Sequence, residues 1–127
     1  MELIIYLPAY NEEKSINKVL AALPKKLEGV DAIKYLIVDD GSVDKTKAYS
    51  QKTGADVVSH GRNRGVGAAF YTAIEFALKD GADILVGIDA DGQFDPDDIS
   101  LLISHILNDE ADMVIGSRFS SGRPENM

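Results

Sequence analysis

At 127 residues, with 45% apolar side chains and no internal repeat, the chain is sized for one domain around a single core. A formal charge of -8 argues against nucleic acid or an anionic membrane as the main partner of this segment, and the absence of cysteine excludes disulfides and thiolate metal sites within it. That composition suits a reducing cytoplasm, and the first apolar run, Leu3–Leu7, stops at Pro8, too short for a signal peptide or a membrane span.

Taken in chain order, short apolar runs alternate with helical patterns. Glu2–Leu7 reads as a first strand, followed by Pro8-Ala9-Tyr10-Asn11-Glu12-Glu13 and a helix with the stripe Ile16, Val19, Leu20 and Leu23. Asn11 is a candidate N-cap for that helix, and Glu12 and Glu13 suit its dipole as well as any ligand. Tyr35–Asp39 reads as strand two. It runs into Asp40-Gly41-Ser42, where Asp40 fits a turn and Ser42 and Asp44 are candidate caps for a helix around Lys45–Lys52 that Gly54 closes. Asp39 ends a buried strand, so a turn or a cap does not explain it.

Strand three is Asp56–Ser59. The loop Gly65-Val66-Gly67-Ala68-Ala69 lacks the third glycine of a dinucleotide fingerprint and does not follow strand one. It reads instead as a tight entry into a helix striped by Phe70, Ile74, Ala77 and Leu78. Arg62 and Arg64 beside it offer charge either to a phosphate or to solvent. His60 reads as a strand-end residue and His105 as a solvated helix residue, neither paired with a nucleophile or metal.

Ile84–Asp89 is strand four, and it leads into Asp89-Ala90-Asp91-Gly92-Gln93. In an extended chain Asp89 and Asp91 point the same way across Ala90, and two converging carboxylates call for a cation between them. A hard divalent ion shared with substrate phosphates meets that need. A calcium loop is excluded, because Gly92 falls at position four and Ser100 stands where a bidentate Glu is required. Asp95-Pro96 starts a helix with the stripe Ile99, Leu102, Ile103, Ile106 and Leu107, with Asp97 and Asp98 as first-turn acids rather than ligands. Met113–Gly116 is strand five, followed by Ser117-Arg118 and a polar tail, residues 120–127.

The order predicts an α/β fold: an open, Rossmann-like parallel sheet with helices on both faces and right-handed crossovers. Ligands of such sheets lie beyond the carboxyl ends of the strands, where four of these polar clusters fall together on one rim.

Five ordered motifs carry a resemblance: Pro8-Ala9-Tyr10-Asn11-Glu12-Glu13, Val38-Asp39-Asp40-Gly41-Ser42-Val43-Asp44, Asn63-Arg64-Gly65-Val66-Gly67, Asp89-Ala90-Asp91-Gly92-Gln93 and Gly116-Ser117-Arg118-Phe119. From Leu3 to Phe119 the chain resembles glycosyltransferase family 2, above all its dolichyl-phosphate mannose synthase branch. The resemblance implies the nucleotide-binding part of a GT-A fold over residues 1–119 and inverting transfer from a GDP- or UDP-linked sugar to a lipid phosphate or glycan. It also implies a Mg²⁺ or Mn²⁺ ion held by Asp89, Asp91 and Gln93. Pro8, Ala9, Tyr10, Glu12, Asp39, Asp40 and Ala90 would line the nucleotide pocket, with Asp91 and Arg118 serving the chemistry.

Family members continue into an acceptor half, often at the cytoplasmic face of a membrane, and this half is expected to be absent here. Two other readings stay open: a fragment that binds nucleotide without turnover, which would expose an apolar face and favour a homodimer, and a phospho-receiver signalling domain. The second is disfavoured because Asp39-Asp40 follows strand two rather than strand one, and Ser117-Arg118 stands where a lysine is needed.

Overall fold

A computed structural model describes residues 1–88 of the chain. Their elements run β1 (Glu2–Ala9), α1 (Ile16–Ala22), β2 (Ala32–Asp39), α2 (Thr46–Lys52), β3 (Asp56–Ser59), α3 (Val66–Asp80) and β4 (Ile84–Gly87). All four strands are parallel, in the order β3-β2-β1-β4. The helix around residues 96–107, the strand at Met113–Gly116 and the tail lie outside the described residues.

Alternation along each strand divides the core in two. Leu3, Ile5, Leu7, Ala9, Ile37, Ile84, Val86 and Ile88 face one side, where Ile16, Val19, Leu20 and Leu23 of α1 and Tyr49 of α2 cover them. Ile4, Tyr6, Leu36, Val38 and Leu85 face the other, against Ala69, Ala73 and Ala77 of α3. A parallel sheet covered on both faces has no polar face to present, which is why its strands read as unbroken apolar runs.

The α3 stripe differs from its sequence expectation. Ala69, Ala73 and Ala77 make the fully buried line, Phe70, Ile74 and Phe76 pack beside it, and Leu78 is 77% exposed. Tyr6 takes up the space between helix and sheet, so the contact line favours small residues. The strand neighbouring Tyr6 accommodates it as well: a Cβ on Gly87 would lie 2.7 Å from the Tyr6 ring.

Strand β1 carries a proline inside the sheet. The Tyr6 carbonyl accepts the Ile88 amide on the β4 side, and the Ala9 carbonyl accepts the Asp40 amide on the β2 side. By alternation Pro8 faces β4, where it has no N–H to give, while β1–β2 pairing runs on to Ala9 and Asp39. The chain leaves β1 toward α1 on one face, whereas α3 delivers it to β4 from the other, so the carboxyl end between β1 and β4 is the topological switch point of the sheet.

Candidate functional site

Among the described residues the carboxyl rim is built from three loops, at 10–15, 40–45 and 60–65. Residues 10–15 and 40–45 are laced together by side chains that bond the opposite backbone. The Asn11 amide donates to Ser42 Oγ at 2.9 Å, and Asn11 Oδ1 accepts from the Val43 amide at 2.9 Å. The Glu12 amide donates to Thr46 Oγ1 at 2.8 Å, the Glu13 amide to Asp44 Oδ2 at 3.2 Å, and the Lys45 amide to Glu13 Oε2 at 3.3 Å.

These bonds revise the capping expectations. Asn11, at φ 53°, serves the neighbouring loop rather than α1, whose N-cap is Ser15. Glu13 supports the start of α2. Asp44 serves α2 as expected, accepting the Thr46 amide at 2.9 Å, and Thr46, fully buried, is a junction the sequence did not single out. Gly54, at φ 85°, ends α2 as expected.

At the end of β1, Pro8 is half-buried, Ala9 is buried and Tyr10 is 46% exposed, so the Tyr10 ring offers an apolar face to solvent on the carboxyl rim. Glu12 is partly buried; its Oε2 accepts the Ser15 hydroxyl at 3.1 Å. Asp39 is only 2% exposed and lies on the α1/α2 side of the sheet. Its Oδ1 accepts the Ser42 amide at 3.1 Å and its Oδ2 the Ser59 hydroxyl at 3.3 Å. Each oxygen keeps a lone pair for a further donor.

Asp40 turns to the opposite face. Its Oδ1 accepts His60 Nδ1 at 2.7 Å and the Arg64 amide at 2.8 Å, and its Oδ2 accepts the Gly65 amide at 2.9 Å. Burial pushes the Asp40 carboxyl up, but the His60 bond, the two amides and the His60 charge outweigh it and hold it below the usual carboxylate range. A carboxylate only accepts, so His60 Nδ1 carries a proton, and Nε2 bonds Thr72 Oγ1 at 2.7 Å. His60 follows β3 as expected of a strand-end residue, and its side chain is 3% exposed and held at both nitrogens, which the sequence did not show. Sequence reasoning missed the pairing because its partners stand 20 and 12 residues away, with no local pattern joining them.

Asp89, Ala90, Asp91, Gln93 and Arg118 lie outside the described residues, as does His105. Among the described residues no group of three or more His, Cys, Asp or Glu is arranged to hold a metal ion, and no helix is long and apolar enough to cross a membrane.

A parallel α/β sheet of this order, with an aromatic and a buried strand-end carboxylate on its carboxyl rim, defines a Rossmann-like domain, the class whose ligands lie beyond the strand ends at the switch point. Residues 4–126 match the family model described as glycosyl transferase family 2. The chain belongs to that family.

Among its relatives, the UDP-N-acetylglucosamine–dolichyl-phosphate N-acetylglucosaminyltransferase of Methanococcus voltae is 37% identical, over 93% of this chain and 53% of its own length. The polyprenol monophosphomannose synthase of Mycolicibacterium smegmatis is 30% identical, over 94% and 46%. The chain thus spans about half the length of the curated relatives it matches. Glucosyl-3-phosphoglycerate synthase from Mycobacterium tuberculosis, solved with Mn²⁺, UDP and glucosyl-3-phosphoglycerate, superposes with a TM-score of 0.65 at 28% identity. That match covers 83% of this chain and 39% of the synthase. The fold is GT-A-like, and the phospho-receiver reading falls with the family match.

Proposed function

We propose that this chain is the donor-binding part of an inverting glycosyltransferase that takes a GDP- or UDP-linked sugar and serves a lipid-phosphate acceptor. The observation that carries this reading is the switch point between β1 and β4, with Tyr10 exposed just past β1 and the Asp39 carboxylate closing β2 on the same carboxyl rim. The nucleoside lies against Pro8, Ala9 and Tyr10, with the Asp39 carboxylate accepting a donor from base or ribose.

Asp89, Asp91 and Gln93 supply two carboxylates and an amide oxygen, a hard-oxygen set suited to Mg²⁺ or Mn²⁺. When bound there, such an ion offsets the negative charge that develops on the departing diphosphate. Arg118 adds a cation for the diphosphate or the acceptor. A lipid phosphate is already ionised, so its oxygen attacks the anomeric carbon without a general base. The bond to the diphosphate breaks in line, and its electron pair leaves on the phosphate oxygen.

The names of the two relatives support this acceptor class, since both act with lipid carriers. Calorimetric titration of UDP and GDP with and without Mn²⁺ tests the reading. Binding is expected to need the metal, and Asp91→Ala to weaken it at least about tenfold, a transition-metal ligand and its charge having been lost, with an unchanged melting temperature. Equal affinity in excess chelator would overturn the proposal.

A further inference from the structure

The two amides that lead into α3, those of Arg64 and its N-cap Gly65, are already occupied. Consecutive backbone N–H groups at a helix start form a concavity that elsewhere holds phosphate. Here the Arg64 and Gly65 amides are filled from inside the protein by the Asp40 carboxylate. Three of the four lone-pair positions of that carboxylate are taken, which leaves one for a ligand.

The same contacts clamp the loop between β3 and α3. Gly61 and Gly65 bound it with φ of 77° and 95°. The Gly41 turn presses on its middle so closely that a Cβ there would lie 2.2 Å from the Arg62 carbonyl carbon and 2.5 Å from the Asn63 nitrogen. Asp40 fixes its end, His60 fixes Asp40, and Thr72 of α3 fixes His60. What the clamped loop presents to solvent, on the rim shared with Tyr10 and Asp39, is the side chains of Arg62, Asn63 and Arg64.

We propose that Asp40, His60 and Thr72 form a positioning strut that sets the height of the Gly61–Gly65 loop over the nucleotide crevice, and that Asp40 itself does not touch the nucleotide. Asp40 takes the Arg64 and Gly65 amides that a ligand would otherwise meet in this loop, so what the loop offers a bound diphosphate is its side chains. This inference rests on the donor-binding reading for its ligand, but its geometry is testable without one.

Thr72 separates the alternatives, because it reaches Asp40 only through His60. In the 127-residue chain, Thr72→Val is expected to shift the Arg64 and Gly65 amide resonances. It should also weaken Mn²⁺–UDP or Mn²⁺–GDP binding several-fold, up to about tenfold, the scale of one lost hydrogen bond. Thr72→Ser keeps the hydroxyl and should restore both. His60→Asn retains a donor near Nδ1 and should fall between.

If Asp40→Asn abolishes binding while Thr72→Val leaves affinity and amides as in the parent, Asp40 is a direct contact and the strut is wrong. Unmoved amides in Thr72→Val beside normal nucleotide binding also overturn the strut. A parent chain that binds neither nucleotide with Mn²⁺ overturns the donor-binding reading and the loop's role toward a nucleotide. The amide shifts then still decide whether the strut exists.

Discussion

Asp39 and Asp40 are neighbours in sequence and opposites in placement. Strand alternation sends the first toward α1 and α2 and the second toward α3. Asp39 bonds one amide and one hydroxyl and so remains able to accept from a ligand, whereas Asp40 is committed to three internal donors. Asp39→Asn is therefore expected to weaken nucleoside diphosphate binding by about 1.5–3 kcal/mol, the range for a hydrogen bond to a charged group. The loss should be the same at limiting and at saturating Mn²⁺, as calorimetry would show, because Asp39 sits on β2 rather than in the acidic segment after β4. A loss that saturating Mn²⁺ abolishes would move Asp39 into the metal shell.

At the scale of elements, the packing of α3 on the sheet is the feature most sensitive to substitution. Ala73 is fully buried against strands that carry Tyr6, Leu36 and Val38, so Ala73→Leu has no room and should cost about 1–3 kcal/mol in urea unfolding. Leu78, on the outer face, should tolerate Gln within about 0.5 kcal/mol. A loss at Leu78 matching that at Ala73 would show that the apolar face of α3 is wider than the buried alanine line. The β2–α2 turn makes a parallel case. Gly41 has φ 82° and no space for a Cβ beside Arg62 and Asn63, so Gly41→Ala should lower stability by about 1–3 kcal/mol. It should also disturb the Arg62–Gly65 amides, which a nuclear magnetic resonance spectrum would report.

For the whole molecule, pH is the natural lever, because the chain carries 21 acidic residues against 13 lysines and arginines. At Asp44 burial pushes the carboxyl up, but bonds from the Thr46 hydroxyl and amide and the Glu13 amide outweigh it, so it lies below the ordinary 3.8, as Asp40 does. A depressed folded value means the carboxylate's contribution to stability is fully present above the unfolded value. It is lost as pH falls through the lower, folded value. Stability measured by urea unfolding should hold from neutral pH down to about 5 and decline steeply below about 4. Asp40→Asn should flatten that decline; an unchanged slope would show that Asp40 is not stabilised as an anion.

Much of this was legible in the residues themselves. The parallel sheet was readable because strands covered on both faces must be apolar throughout, and the chain ends of those strands marked the rim. Gly54 announced its helix end because only a residue without Cβ takes φ 85° at no cost. Asp39 stood out as a carboxylate closing a buried strand. By itself, then, the sequence determined the fold class, the rim and the family.

Tertiary structure alone decided which polar side chains are tied to the protein and which are left for a ligand. Asn11 and Glu13 look like caps for the helix they precede, and they serve a loop more than thirty residues on. His60 looks idle and is the middle of a strut, and Leu78 fits the helical stripe and faces out. Propensity and periodicity act between near neighbours, whereas a hydrogen bond from Thr72 through His60 to Asp40 exists only once β2, β3 and α3 have been brought together by the burial of the sheet's two faces.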